Sequence, residues 1–179
     1  MSTDLAIKIG GAVVLVLALV VTWLRSRRQF KVQSQAFEDR GAQGPISLGL
    51  CLSGLPGLDG PAPVSCGDTA TELIFLADAD NREICRLPWS SVVDIFGGTD
   101  DEILGRLRGT GVPPSLILAQ SDHLRADGRH HYIPSYTVLD WTDGASQRRQ
   151  AVFELRDPRM GDLQARVLNG MKMMAGRRA

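Results

Sequence analysis

The sequence predicts a mainly β (α+β) protein: an antiparallel β-sandwich or partly open barrel, capped by a C-terminal helix and preceded by one N-terminal transmembrane helix. Three observations support this fold class. An apolar run near the N-terminus ends in a group of cations, the central part alternates apolar and polar residues between turn sequences, and apolar residues recur every three or four positions near the C-terminus. These patterns are typical of a membrane-spanning helix, of half-buried strands and of an amphipathic helix.

Residues 5–24 form the apolar run, whose only charged residue is Lys8. Twenty helical residues at 1.5 Å each cover the roughly 30 Å hydrocarbon layer of a bilayer, and a helix satisfies the backbone groups that lipid cannot. A cleaved signal peptide is the alternative, but it ends in small residues, whereas this run ends in Trp23, Leu24 and Arg25. We therefore predict a retained anchor in residues 1–28.

The charge bias across this anchor predicts its direction. Four cations follow the apolar run, against Lys8 on the other side. The positive-inside rule then places the N-terminus outside the plasma or bacterial inner membrane and the rest of the chain in the cytoplasm. Anionic headgroups attract such cations by about 1 kcal/mol each. The residues predicted to contact the membrane surface are Trp23, Arg25, Arg27, Arg28 and Lys31.

The charge of the remaining chain argues against nucleic acid as a partner. Residues 1–31 hold five of the 20 basic residues and one of the 20 acidic ones, so residues 32–179 carry a net charge of −4. Their charges are dispersed, without a basic stripe. A nucleic-acid-binding surface needs clustered cations, and none is present in this pattern.

The cysteines and histidines predict neither a disulfide framework nor a metal site. The three cysteines are irregularly spaced and lack a C-x-x-C motif, so in a reducing cytoplasm we expect buried thiols. His123, His130 and His131 lie close in sequence, but no cysteine or carboxylate completes a zinc-ligand spacing. No cofactor is expected.

Residues 29–45 are polar with isolated apolar residues and predict a linker, whose helicity next to the membrane stays open. The folded domain is predicted to cover residues 46–179. Residues 46–53 alternate without fault and predict the first strand, whereas the Pro- and Gly-rich stretch 54–69 predicts a loop. Further strands are predicted at 71–77, at 83–96 (one strand, or two broken at Pro88), at 114–120, at 131–141 and at 148–156.

A short helix is predicted at residues 99–109. Thr99 and Glu102 form a capping box, and Gly109 follows as a stop signal. The apolar face of this helix comprises Ile103, Leu104 and Leu107, which we regard as candidate partner-binding residues. The alternative, that this face packs on its own domain, is equally compatible with the pattern.

The C-terminal segment predicts an amphipathic helix that begins after Asp157 and Pro158. One apolar stripe recurs at helical spacing and comprises Met160, Leu163, Val167, Met171 and Met174. Such a stripe usually closes a core, and we expect packing through Leu163, Val167 and Met171. A methionine-rich docking surface is the alternative.

The stretch "ELIFLADADNREICRLPWSSVVDIF" (72–96) resembles the pleckstrin-homology-like (PH-like) superfamily, in particular its bacterial and GRAM-type members. The resembling features are a strand, a polar turn, a second strand ending in "LPWS" (87–90), and the apolar residues Val92, Val93 and Ile95. The resemblance extends loosely over residues 46–176 and implies a bent sandwich or partly open barrel that the C-terminal helix closes. The helix at 99–109 departs from the family pattern as an insertion.

The first-strand loop also departs from the PH-like pattern, because residues 54–69 contain no Lys or Arg. Phosphoinositide-binding members hold phosphates with cations there, so that mode of binding is disfavoured. We therefore predict a single-pass membrane protein whose PH-like module binds a protein partner as a scaffold or accessory subunit of a membrane assembly. Its other partner is the lipid around the anchor. The alternative is a lipid- or small-ligand-binding domain.

An enzyme is not expected. The candidate groups would be Ser121, Asp122 and His123, or Asp127 with His130. Neither group has the spacing that a nucleophile, its base and an orienting group require.

Overall fold

A computed structural model of the chain describes the backbone of residues 3–107, 134–155 and 157–178. Seven strands in this part form one antiparallel sheet with the order β4-β3-β2-β1-β7-β6-β5. This architecture confirms the predicted mainly β (α+β) class. The elements are α1 (Thr3–Glu38), β1 (Gln43–Ser53), β2 (Ala62–Asp68), β3 (Glu72–Ala77), β4 (Glu83–Pro88), a 3₁₀ turn (Trp89–Ser91), β5 (Val92–Thr99), α2 (Asp100–Leu107), β6 (Ser135–Thr142), β7 (Arg148–Leu155) and α3 (Met160–Arg178).

The sheet curls around one main apolar core. Phe75 of β3 and Phe153 of β7 are separated by two strands in the sheet, yet their rings stack with centroids 6.2 Å apart. Leu87 of β4 and Ile95 of β5, from the two edge strands, belong to the same buried cluster. Side chains from both ends of the strand order can share a core only if the sheet bends back on itself, which leaves it partly open between β4 and β5.

The predicted loop at 54–69 is wrong over its second half, because β2 occupies Ala62–Asp68 and pairs with both β1 and β3. Proline and glycine in this stretch indicated a loop. In the structure, Val64 and Cys66 point into the core, while Gly67 provides space for an aromatic ring of α1. A strand needs small residues where a helix lies close to it. These small residues interrupt the apolar alternation by which a strand is recognised in sequence.

Other elements agree with the sequence patterns. The chain breaks at Pro88 into β4 and β5, which was the second of the two alternatives. In α2, the Glu102 carboxylate accepts hydrogen bonds from the Thr99 N–H at 2.8 Å and from the Thr99 hydroxyl at 3.2 Å. The predicted strand at 114–120 lies outside the described residues.

Helix α1 continues without a break to Glu38, through much of the segment predicted as a linker. Phe37 is fully buried against Ile74 and Leu76 on the outer face of β3. A short turn then leads into β1 at Gln43. The last turns of α1 are therefore part of the folded domain, which begins before residue 46.

Helix α3 packs on the sheet, but of the three residues predicted for this contact only Met171 packs against the main core. Leu163 and Val167 are 51% and 43% exposed, whereas Ala165 and Leu168 are buried. The small residue Gly161 determines this rotation, because a Cβ there would collide with the backbone of Tyr136. Close backbone approach places the small residues of α3 inward and turns the large ones outward.

Polar groups hold α3 in the same orientation. The Gln164 side chain donates to the Ser47 carbonyl at 2.5 Å, and the Ser135 hydroxyl accepts from the Gly161 N–H at 3.0 Å. Thr137 lies 3.0 Å from the Gln164 amide oxygen. These buried contacts satisfy groups that would otherwise cost free energy in the core.

Candidate interaction surfaces

The residues predicted to contact a membrane surface are all exposed on α1. Trp23 is 55% exposed, and the Arg27 guanidinium lies 4.6 Å from the centroid of its ring. In the described part of the chain, no acidic side chain forms a salt bridge with Arg25, Arg27, Arg28 or Lys31. Among the described residues, no helix has the length and apolarity needed to cross a bilayer.

Hydrogen bonds and ion pairs attach the C-terminal part of α1 to the sheet. The Gln33 amide donates to the Ser65 hydroxyl at 3.0 Å and to the Asp78 carboxylate at 2.9 Å. The Arg40 guanidinium donates to Glu83 at 3.2 Å. Arg25, Arg27, Arg28 and Lys31 form what we call the basic flank of α1. Together with the buried Phe37 ring, these contacts connect the basic flank to the sheet through one helix.

The predicted partner face of α2 is occupied by its own domain. Ile103 and Leu107 are 1% and 0% exposed and pack on a cluster that includes Phe96 and Tyr136. The side chain of Leu104 lies outside the described part. Ile103 and Leu107 are therefore unavailable to a partner in this fold, and for these two residues the alternative of packing on the domain holds.

The β5 edge of the sheet is covered by side chains of α3. Asn169 donates to the Ile95 carbonyl at 2.8 Å, and the Lys172 ammonium donates to the Val92 carbonyl at 2.5 Å. These carbonyls are the groups that an added strand would use. Strand addition at this edge is thus disfavoured.

The β4 edge is short and charged. Arg86 donates to Glu83 and to Glu72, each at 2.8 Å, and Pro88 ends the strand. Charged side chains and proline are common means of protecting sheet edges. The six-residue β4 is therefore a poor template for another strand.

A shallow groove of about 470 Å³ lies between the β2–β3 turn, the 3₁₀ turn and the end of α3. Two of its polar groups are engaged, since the Trp89 indole donates to the Thr69 carbonyl at 3.3 Å and Lys172 donates to β5. Among the described residues that line the groove, Lys172 is the only one with a titratable side chain. Acid–base or nucleophilic chemistry needs several convergent groups, and this groove does not provide them.

The cysteines behave as core residues. Burial raises the pKa of the Cys51 and Cys85 thiols to about 12, and it also raises that of Cys66. A thiol is nucleophilic only as the thiolate, so these groups are inert at neutral pH. Within the described residues, no group of three potential metal ligands comes together. Ser121, Asp122, His123, Asp127 and His130 lie outside those residues.

The outward face of α3 leaves large apolar side chains exposed to solvent. Its exposed residues at steps of four, three and four are Leu163, Val167, Gly170 and Met174, which we call the outer stripe. Leu163, Val167 and Met174 belong to the stripe predicted from sequence, together with Met160 and Met171, for which core packing was expected and a docking surface was the alternative. The signal that distinguishes the two faces is the small residues opposite, Gly161, Ala165 and Ala175.

No family model matches the chain, and no curated protein is significantly similar to it.

Proposed function

We propose that the chain is a single-pass membrane protein in which residues 1–28 form the anchor, with a span at about 5–24. A cytoplasmic PH-like domain then acts in protein interaction, as a scaffold or accessory subunit of a membrane assembly. The observation that carries this proposal is the continuity of α1, which leads from the exposed basic flank into the core of the domain at Phe37. Burying a phenylalanine contributes about 1.5–3 kcal/mol, so the anchor segment and the domain are joined rigidly.

The topology supports the PH-like part of the proposal. Seven antiparallel strands curl into a partly open sheet with β4 and β5 at its edges, and a helix follows the last strand. Helix α3 packs on β5 and β6. The resemblance of residues 72–96 implies the same arrangement. The inserted α2 lies between β5 and β6, and it does not interrupt the sheet.

The surface chemistry supports interaction rather than catalysis. The groove beside Trp89 lacks convergent titratable groups, and the described β1–β2 connection at 54–61 has Asp59 as its only charged residue. In contrast, large apolar side chains remain exposed on α3. Exposed apolar surface costs free energy in water and is typical of docking sites.

Topology is tested with introduced cysteines in a Cys85→Ser background, because Cys51 and Cys66 are buried and Cys85 is only partly buried. Asp59 is exposed, so Asp59→Cys should react with a membrane-impermeant maleimide only after the cells are permeabilised. Ser2→Cys, on the predicted outer side, should react in intact cells. Labelling of Asp59→Cys in intact cells would place the domain outside and contradict the proposal.

The interaction function is tested by purifying the tagged full-length protein after cross-linking in cells. We expect one or a few membrane proteins at a fixed ratio to the chain. Recovery of the chain alone, at native expression level and from several detergents, would refute the role as scaffold or accessory subunit.

A further inference from the structure

The outer stripe is not needed to hold α3 on the sheet. The opposite face of the helix provides the buried residues, and Asn169 and Lys172 fix the helix to the β5 edge. Leu163, Val167 and Met174 are nevertheless 51%, 43% and 48% exposed. Apolar side chains that keep about half of their surface exposed on the folded domain are available to another molecule.

The spacing of the stripe is that of a helix–helix seam. Steps of four, three and four residues follow the 3.5-residue repeat by which two helices pack along their length. Gly170 lies in the middle, and a Cβ built there meets nothing within 4 Å. The missing side chain leaves a notch that a side chain of a second helix fits.

Arginines predominate beside one flank of the stripe. Arg166 and Arg177 are eleven residues, or three helical turns, apart and so lie along that flank, and Arg159 directly precedes the helix. Arg166 forms an ion pair with Asp162 at 2.6 Å. In the described part of the chain, no salt bridge involves Arg159 or Arg177. The domain itself lies on the other flank.

The arginines beside the outer stripe favour one kind of binding partner over others. A second copy of α3, paired antiparallel on the same stripe, would bring Arg159 of one chain opposite Arg177 of the other, and like charges repel. A bilayer with anionic lipids attracts the arginines but repels residues 32–179, whose net charge is −4. A partner helix with an apolar face and a row of acidic residues would pack on the outer stripe and form ion pairs with the arginines.

From this geometry we propose that the outer stripe of α3 binds an amphipathic helix of a partner protein, whose apolar seam is flanked by Asp or Glu residues facing Arg166 and Arg177. This inference rests on the proposed interaction function and specifies its surface and the chemistry of the partner.

A photo-cross-linking amino acid at Val167 of the full-length protein, in its native membrane, tests this proposal. The expected product is an adduct with another protein, whose cross-linked peptide forms an amphipathic helix with an acidic flank. Reversing both charges, with Arg166→Glu and Arg177→Glu, should lower the adduct yield by about tenfold, and reversing the partner's acids to Lys should restore it. The same amino acid at Gly60, exposed in the β1–β2 connection and outside α3, is the control.

Several results would overturn the inference: an adduct of two copies of the chain, an adduct with lipid, a protein adduct insensitive to the charge reversals, or no adduct. A second set of cross-linking positions separates this failure from that of the proposed function. If Arg86 on the β4 edge captures a protein and Val167 does not, the surface is wrong and the interaction function stands. If neither position captures a protein, both proposals fail.

Discussion

The ring of Phe37 lies so close to Gly67 that a Cβ on the glycine would come within 2.5 Å of Phe37 Cδ1. Phe37 belongs to the end of α1 and Gly67 to β2 in the interior of the sheet, so this contact joins the N-terminal helix to the sheet. The Gln43 carbonyl oxygen would lie 2.7 Å from the same Cβ. The backbone of β2 is therefore adapted to the helix.

The first prediction concerns this contact. Gly67→Ala should lower the free energy of unfolding by about 1–3 kcal/mol, because an added methyl group in a filled site forces the helix or the strand to move. Thermal melting in detergent and limited proteolysis between residues 29 and 43 would measure the change. Gly60→Ala, where a Cβ meets nothing within 4 Å, is the control. Equal melting temperatures for the two variants would contradict the docking of α1.

A second prediction separates the two faces of α3. Leu168 is 1% exposed and Leu163 is 51% exposed, so Leu168→Asp places an unpaired charge in the core and should cost several kcal/mol, enough to unfold a marginal domain. Leu163→Asp should change the free energy of unfolding by less than about 1 kcal/mol. Circular dichroism melts measure both. Unfolding of the Leu163→Asp variant alone would mean that the outer stripe, not the inner face, packs on the sheet.

The third prediction concerns the acid dependence of stability. Arg86, and then Arg40, lower the pKa of Glu83 below its ordinary value. A carboxylate with a lower pKa in the folded state stabilises the fold above its unfolded pKa, and this contribution disappears as the pH falls through the folded pKa. Glu83 is partly exposed to solvent, so the contribution should be under about 1 kcal/mol.

The measurement is the difference in unfolding free energy between wild type and Glu83→Gln, from pH 7 to pH 3. This difference should shrink as the pH falls. In an Arg86→Gln background it should be smaller at every pH, because the main cause of the lowered pKa is absent. A difference that grows towards low pH would have the wrong sign for this ion pair.

The fourth prediction concerns the thiols. Because the pKa of Cys51 and Cys85 is raised to about 12, alkylation by iodoacetamide at pH 8 should be slow in the folded protein and fast in urea. Mass spectrometry of the protein over time would show it. Asp59→Cys, in an exposed loop, supplies a fast-reacting reference thiol in the same chain. Labelling of native Cys51 as fast as that reference would contradict its burial.

The same raised pKa has a consequence for alkaline stability. The pKa of the thiol is near its ordinary value of 9.0 in the unfolded chain and about 12 in the folded protein. Stability is therefore fully present below pH 9 and is lost as the pH rises from there towards 12. Replacement of Cys51 by Ala should make this decline less steep.

Strand limits were predictable where turn residues bound an element. β1 and β7 were both predicted close to their observed limits. The alternation of β1 does not continue through the strand, because bulges shift its register and place Leu48 and Cys51 in the main core and Leu52 in the cluster around Phe96. The Thr99–Glu102 capping box likewise predicted the start of α2. The turn and capping signals are local, and the structure preserves them.

The misses share one physical cause, which is the use of small residues at close contacts. β2 lost its apolar alternation because Gly67 must admit the Phe37 ring, and α3 faces the sheet through Gly161 and Ala165. Hydrophobic patterns weight large side chains, so they missed the strand and selected the wrong face of the helix. The basic flank of α1 was found from sequence, because charge next to an apolar run needs no tertiary information. Whether the face of Ile103 and Leu107 was free or buried depended on partners distant in sequence.

Because α1 is unbroken, the number of its residues sets the angle between its N-terminal part and the sheet, measured about the helix axis. An α-helix turns by about 100° and rises 1.5 Å with each residue. Because Gln33 and Phe37 fix the end of the helix to the sheet, deleting one residue between Arg28 and Gln33 would rotate the whole sheet by more than a quarter turn about the helix axis. Deleting one residue from the β1–β2 connection would not rotate the sheet about that axis. The direction in which α3 faces, relative to the N-terminal part of α1, is therefore set by the length of a segment outside α3.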